Sequence, residues 1–233
     1  MLGPFDYFVW IVSFALEVFV VVFSLTRRQF LRYLPLNLYM LADAMFTVGT
    51  FYFVTHYGLH SQAYSYFYYY GDSLLTILLY FCVFDLYQHV FEEMEASKYV
   101  RATSLMLLLG TGLVSFLIVR QNQDHLTGRF VLELSQNLYF VGLVLTYILW
   151  AAVMKLRETR TRVIQLVLVL GIYFSAYSAT YALRNLFPDL AVAQTILPPL
   201  VGTWLPLAWA CTLWRVPEEA RLATAQLAAT HAR

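Results

Sequence analysis

Charge is what this chain lacks most. Of its 233 residues 12% are Asp, Glu, Lys or Arg, while 61% are hydrophobic. Soluble domains carry about twice that share of charge, so a water-soluble globular fold is set aside. Between Arg32 and Lys98 there is no basic residue at all. A net charge of +1 gives no electrostatic case for nucleic acid as a partner. There are two cysteines, Cys82 and Cys211, and both fall inside apolar stretches, which excludes a disulfide framework in the loops.

Other absences exclude particular chemistries. The last apolar stretch has no lysine, so a retinal Schiff base of the microbial-rhodopsin kind cannot form there. It has no histidine either, which removes the usual metal site of seven-helix ceramidase-like hydrolases. His56 and His89 stand at opposite ends of their helices, against bis-histidine haem. The acidic-Arg-Tyr triplet, the Asn-Pro motif and the loop cysteines of G-protein-coupled receptors are missing, and Tyr70-Gly71-Asp72 has no second motif to make an aspartyl protease. No cofactor, metal ion or catalytic constellation is expected, and an enzyme is the least supported class.

What is present is apolar length. A bilayer core of roughly 30 Å needs about 20 apolar residues per helix. Seven stretches meet or approach that, at 5–25, 36–57, 64–90, 102–119, 130–154, 163–184 and 192–214. The fold class expected is an all-α integral membrane protein, a seven-transmembrane-helix bundle over residues 1–214. Residues 215–233 are expected to form a cytoplasmic tail, whose stretch from Pro217 begins Pro-Glu-Glu and reads as helical.

The basic residues set the orientation. Arg27, Arg28 and Arg32 follow the first span, Lys98 and Arg101 the third, and Lys155, Arg157, Arg160 and Arg162 the fifth. With Arg215, Arg221 and Arg233 in the tail, twelve of the fifteen Lys and Arg fall on one side; Arg120, Arg129 and Arg184 face the other. The positive-inside rule places the N-terminus outside and the C-terminus in the cytoplasm. Residues 1–7 lack a basic n-region, so the first span is expected to be retained. The expected location is the cell membrane, multi-pass, with the lipid bilayer as first partner.

Five carboxyl groups interrupt the spans: Glu17, Asp43, Asp72, Asp85 and Glu133. Charged groups at membrane depth are costly and face a bundle interior or a cavity. Three belong to polar stripes at helical spacing: Ser13, Glu17 and Ser24; Tyr39, Asp43, Thr47 and Thr50; Tyr69, Asp72, Thr76 and Tyr80. In the sixth span a small-residue face, Gly171, Ser175, Ser178 and Ala182, stands opposite Tyr173, Tyr177, Tyr181 and Arg184. If these faces converge, Glu17, Asp43, Tyr69, Asp72, Thr76, Tyr173 and Tyr177 form a ligand pocket between helices 1, 2, 3 and 6. Protonated carboxyls that merely fix helix packing are the plainer alternative.

Four further signals remain. The segment YSYFYYYGD at 64–72 is aromatic at six of nine positions, with His56, Tyr57 and His60 just before it, and suggests an outer aromatic vestibule beyond an ordinary interfacial belt. Asp85, His89 and Glu92 recur at i, i+4 and i+7, most simply a solvated helix end. Pro198, Pro199 and Pro206 are each expected to kink or interrupt the seventh helix. Helix 4, the shortest span, separates two triplets with similar basic loops, TRRQFLR and KLRETRTR, a pattern compatible with a three-plus-one-plus-three repeat. The leading expectation is a receptor-like or sensory module that binds a small-molecule ligand and signals to a membrane or cytoplasmic protein. A small-solute or proton-coupled transporter, or an accessory subunit of a larger complex, are the alternatives.

Overall fold

A computed structural model describes residues 4–58, 61–91, 97–120, 126–155, 160–186 and 197–217. Seven helices, and no β-sheet, are found among them: α1 (Pro4–Thr26), α2 (Leu34–Tyr57), α3 (Gln62–Val90), α4 (Ser97–Arg120), α5 (Leu126–Lys155), α6 (Thr161–Leu186) and α7 (Leu197–Arg215). Five of them, α1, α2, α3, α5 and α6, contain stretches long and apolar enough to cross a membrane. The corresponding stretch of α4 is shorter, Met106–Leu117. Three prolines and three tryptophans dilute the hydropathy of α7, which is not among the five. His60, Glu92, Arg157, residues 192–196 and the tail from residue 218 lie outside the described residues. So do the side chains of Arg120, Arg129 and Arg184.

Short loops turn the chain back on itself. Asn37 in the first turn of α2 donates its Nδ2 to the carbonyls of Phe30 (3.1 Å) and Tyr33 (2.9 Å), which fixes the α1–α2 corner. α2 stops at Gly58, whose φ of +82° glycine adopts without strain. α3 starts at Ser61, whose hydroxyl accepts from the Tyr64 amide at 3.1 Å. The described part of α7 begins at Leu197, with Pro198 and Pro199 in its first described turn, and residues 192–196 of the expected span lie outside the described residues. Pro206 stands inside the helix.

The helices close into a ring. α1 packs on α2, α2 on α3, α3 on α5, α5 on α6, α6 on α7, and α7 on α1. α4 stays outside, against α5 and α3, with Asn137 donating to the Ser115 hydroxyl at 2.9 Å. The ring has two unlike ends: one is rich in arginine, the other holds the tyrosines of α3 and α6. Toward the arginine-rich end it is solid, filled by Met40, Leu79, Val83, Leu149, Leu166 and Trp209. Here α3 also meets α6 across the ring, and the Tyr87 hydroxyl donates to the Leu145 carbonyl at 2.7 Å. Large apolar side chains such as Phe8, Ile11, Leu31, Met45, Leu109 and Phe140 remain exposed on the outside, far more than a soluble monomer shows.

Glycines decide how closely the ring packs. A Cβ at Gly71 would run into the Phe46 ring, one at Gly49 into Phe67, and one at Gly142 into Phe174. Phe46 and Phe67 stack on each other at 5.2 Å, so α2 and α3 each offer a phenyl to the other's glycine. Phe174 is fully buried and cannot swing away. Gly142→Ala is therefore expected to lower stability by about 1–3 kcal/mol, in spite of a helix-propensity gain of about 1 kcal/mol. Gly110→Ala, with nothing within 4 Å, is expected to gain up to about 1 kcal/mol. Thermal unfolding of both variants in one detergent checks the contrast; a stabilised Gly142→Ala would show that the Phe174 seat is loose.

Candidate functional site

Toward the tyrosine-rich end the ring is not filled. A cavity of about 260 Å³ lies on its axis, and all six ring helices contribute to its wall. α1 supplies Trp10, Ser13 and Glu17; α2 supplies Tyr39, Asp43, Thr47 and Thr50. α3 adds Tyr64, Tyr68 and Asp72, α5 adds Tyr139, and α6 adds Tyr173 and Tyr177. α7 closes the wall with Pro198, Pro199, Gly202 and Thr203. Tyr68 keeps exposure at the rim, whereas Glu17, Tyr39, Tyr139 and Tyr173 are buried.

Of the seven residues singled out in the sequence, the structure brings five to this cavity: Glu17, Asp43, Asp72, Tyr173 and Tyr177. Tyr69 and Thr76 are not there. Tyr69 is exposed beside Tyr68. Thr76 is buried and donates its hydroxyl to the Asp72 carbonyl at 2.7 Å. The α3 face that looks inward runs through Tyr64, Tyr68, Asp72 and Leu75, spaced i, i+4, i+8 and i+11. The stripe Tyr69, Asp72, Thr76 and Tyr80 follows polarity, but the rotation of α3 is set by Phe67 entering the Gly49 notch. The α2 stripe reaches the cavity with all four members, and on α1 Ser13 and Glu17 do while Ser24 does not. Asp85 and Glu133 also stand elsewhere.

The aromatic segment 64–72 thus divides by face. Tyr64, Tyr68 and Asp72 look inward, Phe67 locks α3 to α2, and Tyr66 and Tyr70 stack on each other outside. His56 stacks on Tyr52 at 4.2 Å and stays exposed. Asp85 and His89 form a separate cluster at the arginine-rich end. The His89 Nδ1 lies 2.8 Å from the Asp85 carbonyl and 3.7 Å from its carboxylate. Its ring stacks on Tyr33, and Arg160 donates to its carbonyl. Tyr139 and the α7 residues went unrecognised in the sequence. For Tyr139 a signal existed: Ser135, Tyr139, Gly142 and Thr146 repeat at i, i+4, i+7 and i+11 on α5.

Hydrogen bonds tie much of the wall together. Ser13 donates to the Glu17 Oε1 at 2.8 Å. The Tyr39 hydroxyl bonds the Asp43 carboxyl and lies 3.4 Å from the Tyr173 hydroxyl. The Tyr139 and Tyr177 rings stack in parallel at 4.7 Å. Asp43 is within electrostatic reach of both Glu17 and Asp72. Two wall atoms have no hydrogen-bond partner, the Glu17 Oε2 and the Thr50 Oγ1, and both residues are buried. Such groups are costly in an apolar surround and mark a surface built to meet something polar. Among the described residues, no three His, Cys, Asp or Glu side chains are grouped to hold a metal ion.

No family model matches the chain, and no curated protein or solved structure is similar enough to carry a fold or function across to it.

The two kinds of wall group should respond differently to substitution. Tyr39→Phe removes a buried hydroxyl that serves Asp43 and Tyr173, and is expected to cost about 1–3 kcal/mol. Thr50→Val deletes a hydroxyl with no partner and is expected to be neutral or stabilising by about 1 kcal/mol. Chemical unfolding of the ligand-free variants measures both; a Thr50→Val loss as large as that of Tyr39→Phe would contradict the assignment.

Proposed function

We propose that the chain is a receptor-like or sensory seven-helix module of the cell membrane that binds a small molecule in its axial cavity and signals to a membrane or cytoplasmic protein partner. The observation that carries this reading is the wall itself. A ligand there touches α1, α2, α3, α5, α6 and α7 at once, so its contacts can favour one arrangement of the ring over another. In the proposed orientation the N-terminus is outside and the cavity opens outward. The supports are the length and apolarity of five helices and the gathering of basic residues at the end away from the cavity.

An output route lies at that basic end. Arg162, buried at the start of α6, donates to the Val216 carbonyl through Nε (2.9 Å) and Nη2 (2.6 Å), and to the Gln29 Oε1 at 2.8 Å. One guanidinium thereby joins α6, the end of α7 and the α1–α2 corner. A shift of α6 or α7 at the cavity is transmitted to the face that a cytoplasmic partner would read.

A carrier is the second reading, and the ring order favours it. The triplets α1–α2–α3 and α5–α6–α7 make up the ring while α4 remains outside, as a parallel repeat with a linking helix would be arranged.

Two experiments test these readings. Gly202 faces the Tyr177 hydroxyl, 3.7 Å from where a Cβ would stand, so Gly202→Phe should fill the cavity from α7. Native mass spectrometry of protein gently extracted from its own membrane is expected to find a bound small molecule on wild type and none on Gly202→Phe. A stoichiometric protein partner supports the receptor; uptake into liposomes by the protein alone supports the carrier. A ligand that survives Gly202→Phe lies outside the cavity and overturns the proposal. For orientation, Gln62→Cys and Leu31→Cys would be placed in a Cys211→Ser background and treated with an impermeant maleimide. Labelling of Gln62→Cys in intact cells, and of Leu31→Cys only after permeabilisation, is expected; the reverse pattern inverts the topology.

A further inference from the structure

We infer that the axial cavity takes a small organic cation, a protonated or quaternary amine. This rests on the reading of the cavity as a ligand site and adds the chemical class of the ligand. Among the described residues the wall is one-sided in charge: it holds three carboxyl groups, Glu17, Asp43 and Asp72, and no Lys, Arg or His. An anion would find no cationic side chain to pair with among them. The Glu17 carboxyl is 1% exposed, lines the cavity, and has one oxygen without a hydrogen-bond partner. That atom is an acceptor in want of a donor, at a depth where ammonium N–H groups or a positive charge are the natural complement.

The backbone adds a second acceptor. Pro206 has no N–H, so the carbonyl four residues earlier, that of Gly202, loses its usual intrahelical donor. Gly202 is a wall residue. Carbonyls released by a broken helix commonly serve cations in membrane bundles. α1 thus brings an unpartnered carboxyl oxygen, and α7 a carbonyl that lacks its usual helical donor.

The remaining wall separates an organic cation from a metal ion. Eight of the twenty described wall residues are aromatic. Aromatic rings attract an ammonium group through their quadrupole and pack on its carbon atoms, but they cannot replace the oxygen shell of a calcium or magnesium ion. The described residues also offer no group of three ligating side chains close enough for a metal. The volume of about 260 Å³ corresponds to roughly nine water molecules, which suits an amine with a short or single-ring substituent. A sugar of similar size could use the same tyrosines and carboxyls; it is the competitor the test must separate.

The test pairs each cation with a neutral molecule of its own shape. Wild-type protein in lipid nanodiscs would be titrated with choline and with its carbon isostere, in which a tert-butyl group replaces the trimethylammonium. Phenethylammonium and phenylethanol form a second pair, with glucose and calcium as further probes. Calorimetry and the shift in Tm are read together. At least one ammonium probe is expected to bind about tenfold or more tightly than its isostere, a difference of about 1.4 kcal/mol. Glu17→Gln should weaken that binding by a similar factor without lowering the Tm of the free protein. Equal binding of cation and isostere, binding of glucose or calcium alone, or no ammonium binding at all overturns the inference. Gly202→Phe separates the two levels. If a neutral probe binds and this variant abolishes it, the cavity remains a ligand site and only the cation assignment falls. If no probe binds and no small molecule accompanies the native protein, both fall.

Discussion

A carboxyl group cannot stand against an apolar surround without partners, and α1, α2 and α3 each carry one near the cavity: Glu17, Asp43 and Asp72. Turning Glu17 and Asp43 inward fixes the rotation of α1 and α2, while Phe67 in the Gly49 notch turns α3 so that Asp72 joins them. The opposite faces are left to apolar side chains such as Ile11, Met45 and Leu74, which are exposed. The gap left by the inward carboxyls is covered by tyrosines from α5 and α6, whose hydroxyls give polar neighbours and whose rings fill space. Tyr39 stands at the junction, bonded to Asp43 on its own helix and near Tyr173 across the axis.

The two ends of the ring are built on different principles. Around the cavity the contacts are hydroxyl to carboxyl and ring to ring, with acceptors left over. Toward the arginine-rich end side chains tie segments together through the backbone: Asn37 donates to two carbonyls of the α1–α2 corner, although its Oδ1 has no partner, Tyr87 reaches the Leu145 carbonyl, and Arg162 joins three segments. Arg162 is only 4% exposed, and a buried guanidinium is tolerable when its donors are spent on carbonyls in this way.

Much of this was legible in the residues, and the misses have specific causes. Helix number and approximate limits followed from apolar length, because no other feature of so apolar a chain competes with it. The α2 stripe could be read directly, since Tyr39, Asp43, Thr47 and Thr50 are the polar positions of one face. α3 was harder. With tyrosine at five of seven positions from Tyr64 to Tyr70, polarity cannot tell which face turns inward, and the decision falls to Phe67 and Gly49 on different helices. Tyr69 and Thr76 were therefore assigned one face away from the cavity. Ring order, and with it the exclusion of α4, depends on long-range packing that no local pattern encodes.

Because α4 crosses the molecule without joining the ring, α5 starts at the same end as α1. The two triplets run in the same sense and meet along two seams, α3 with α5 and α7 with α1. These seams are not equivalent. The first is latched by the directional bond from Tyr87 to the Leu145 carbonyl. In the second, Trp214 lies against Phe19 and Phe23 at 5.7 and 5.9 Å, a contact of flat surfaces that tolerates sliding. Arg162 ties the end of α7 to the α1–α2 corner at the arginine-rich end, so rocking of one triplet on the other would pivot at α3–α5 and at that tie, and part α1 from α7 toward the cavity. The opening would appear as a lateral slot on one flank of the barrel, beside Glu17, rather than as an iris around its mouth.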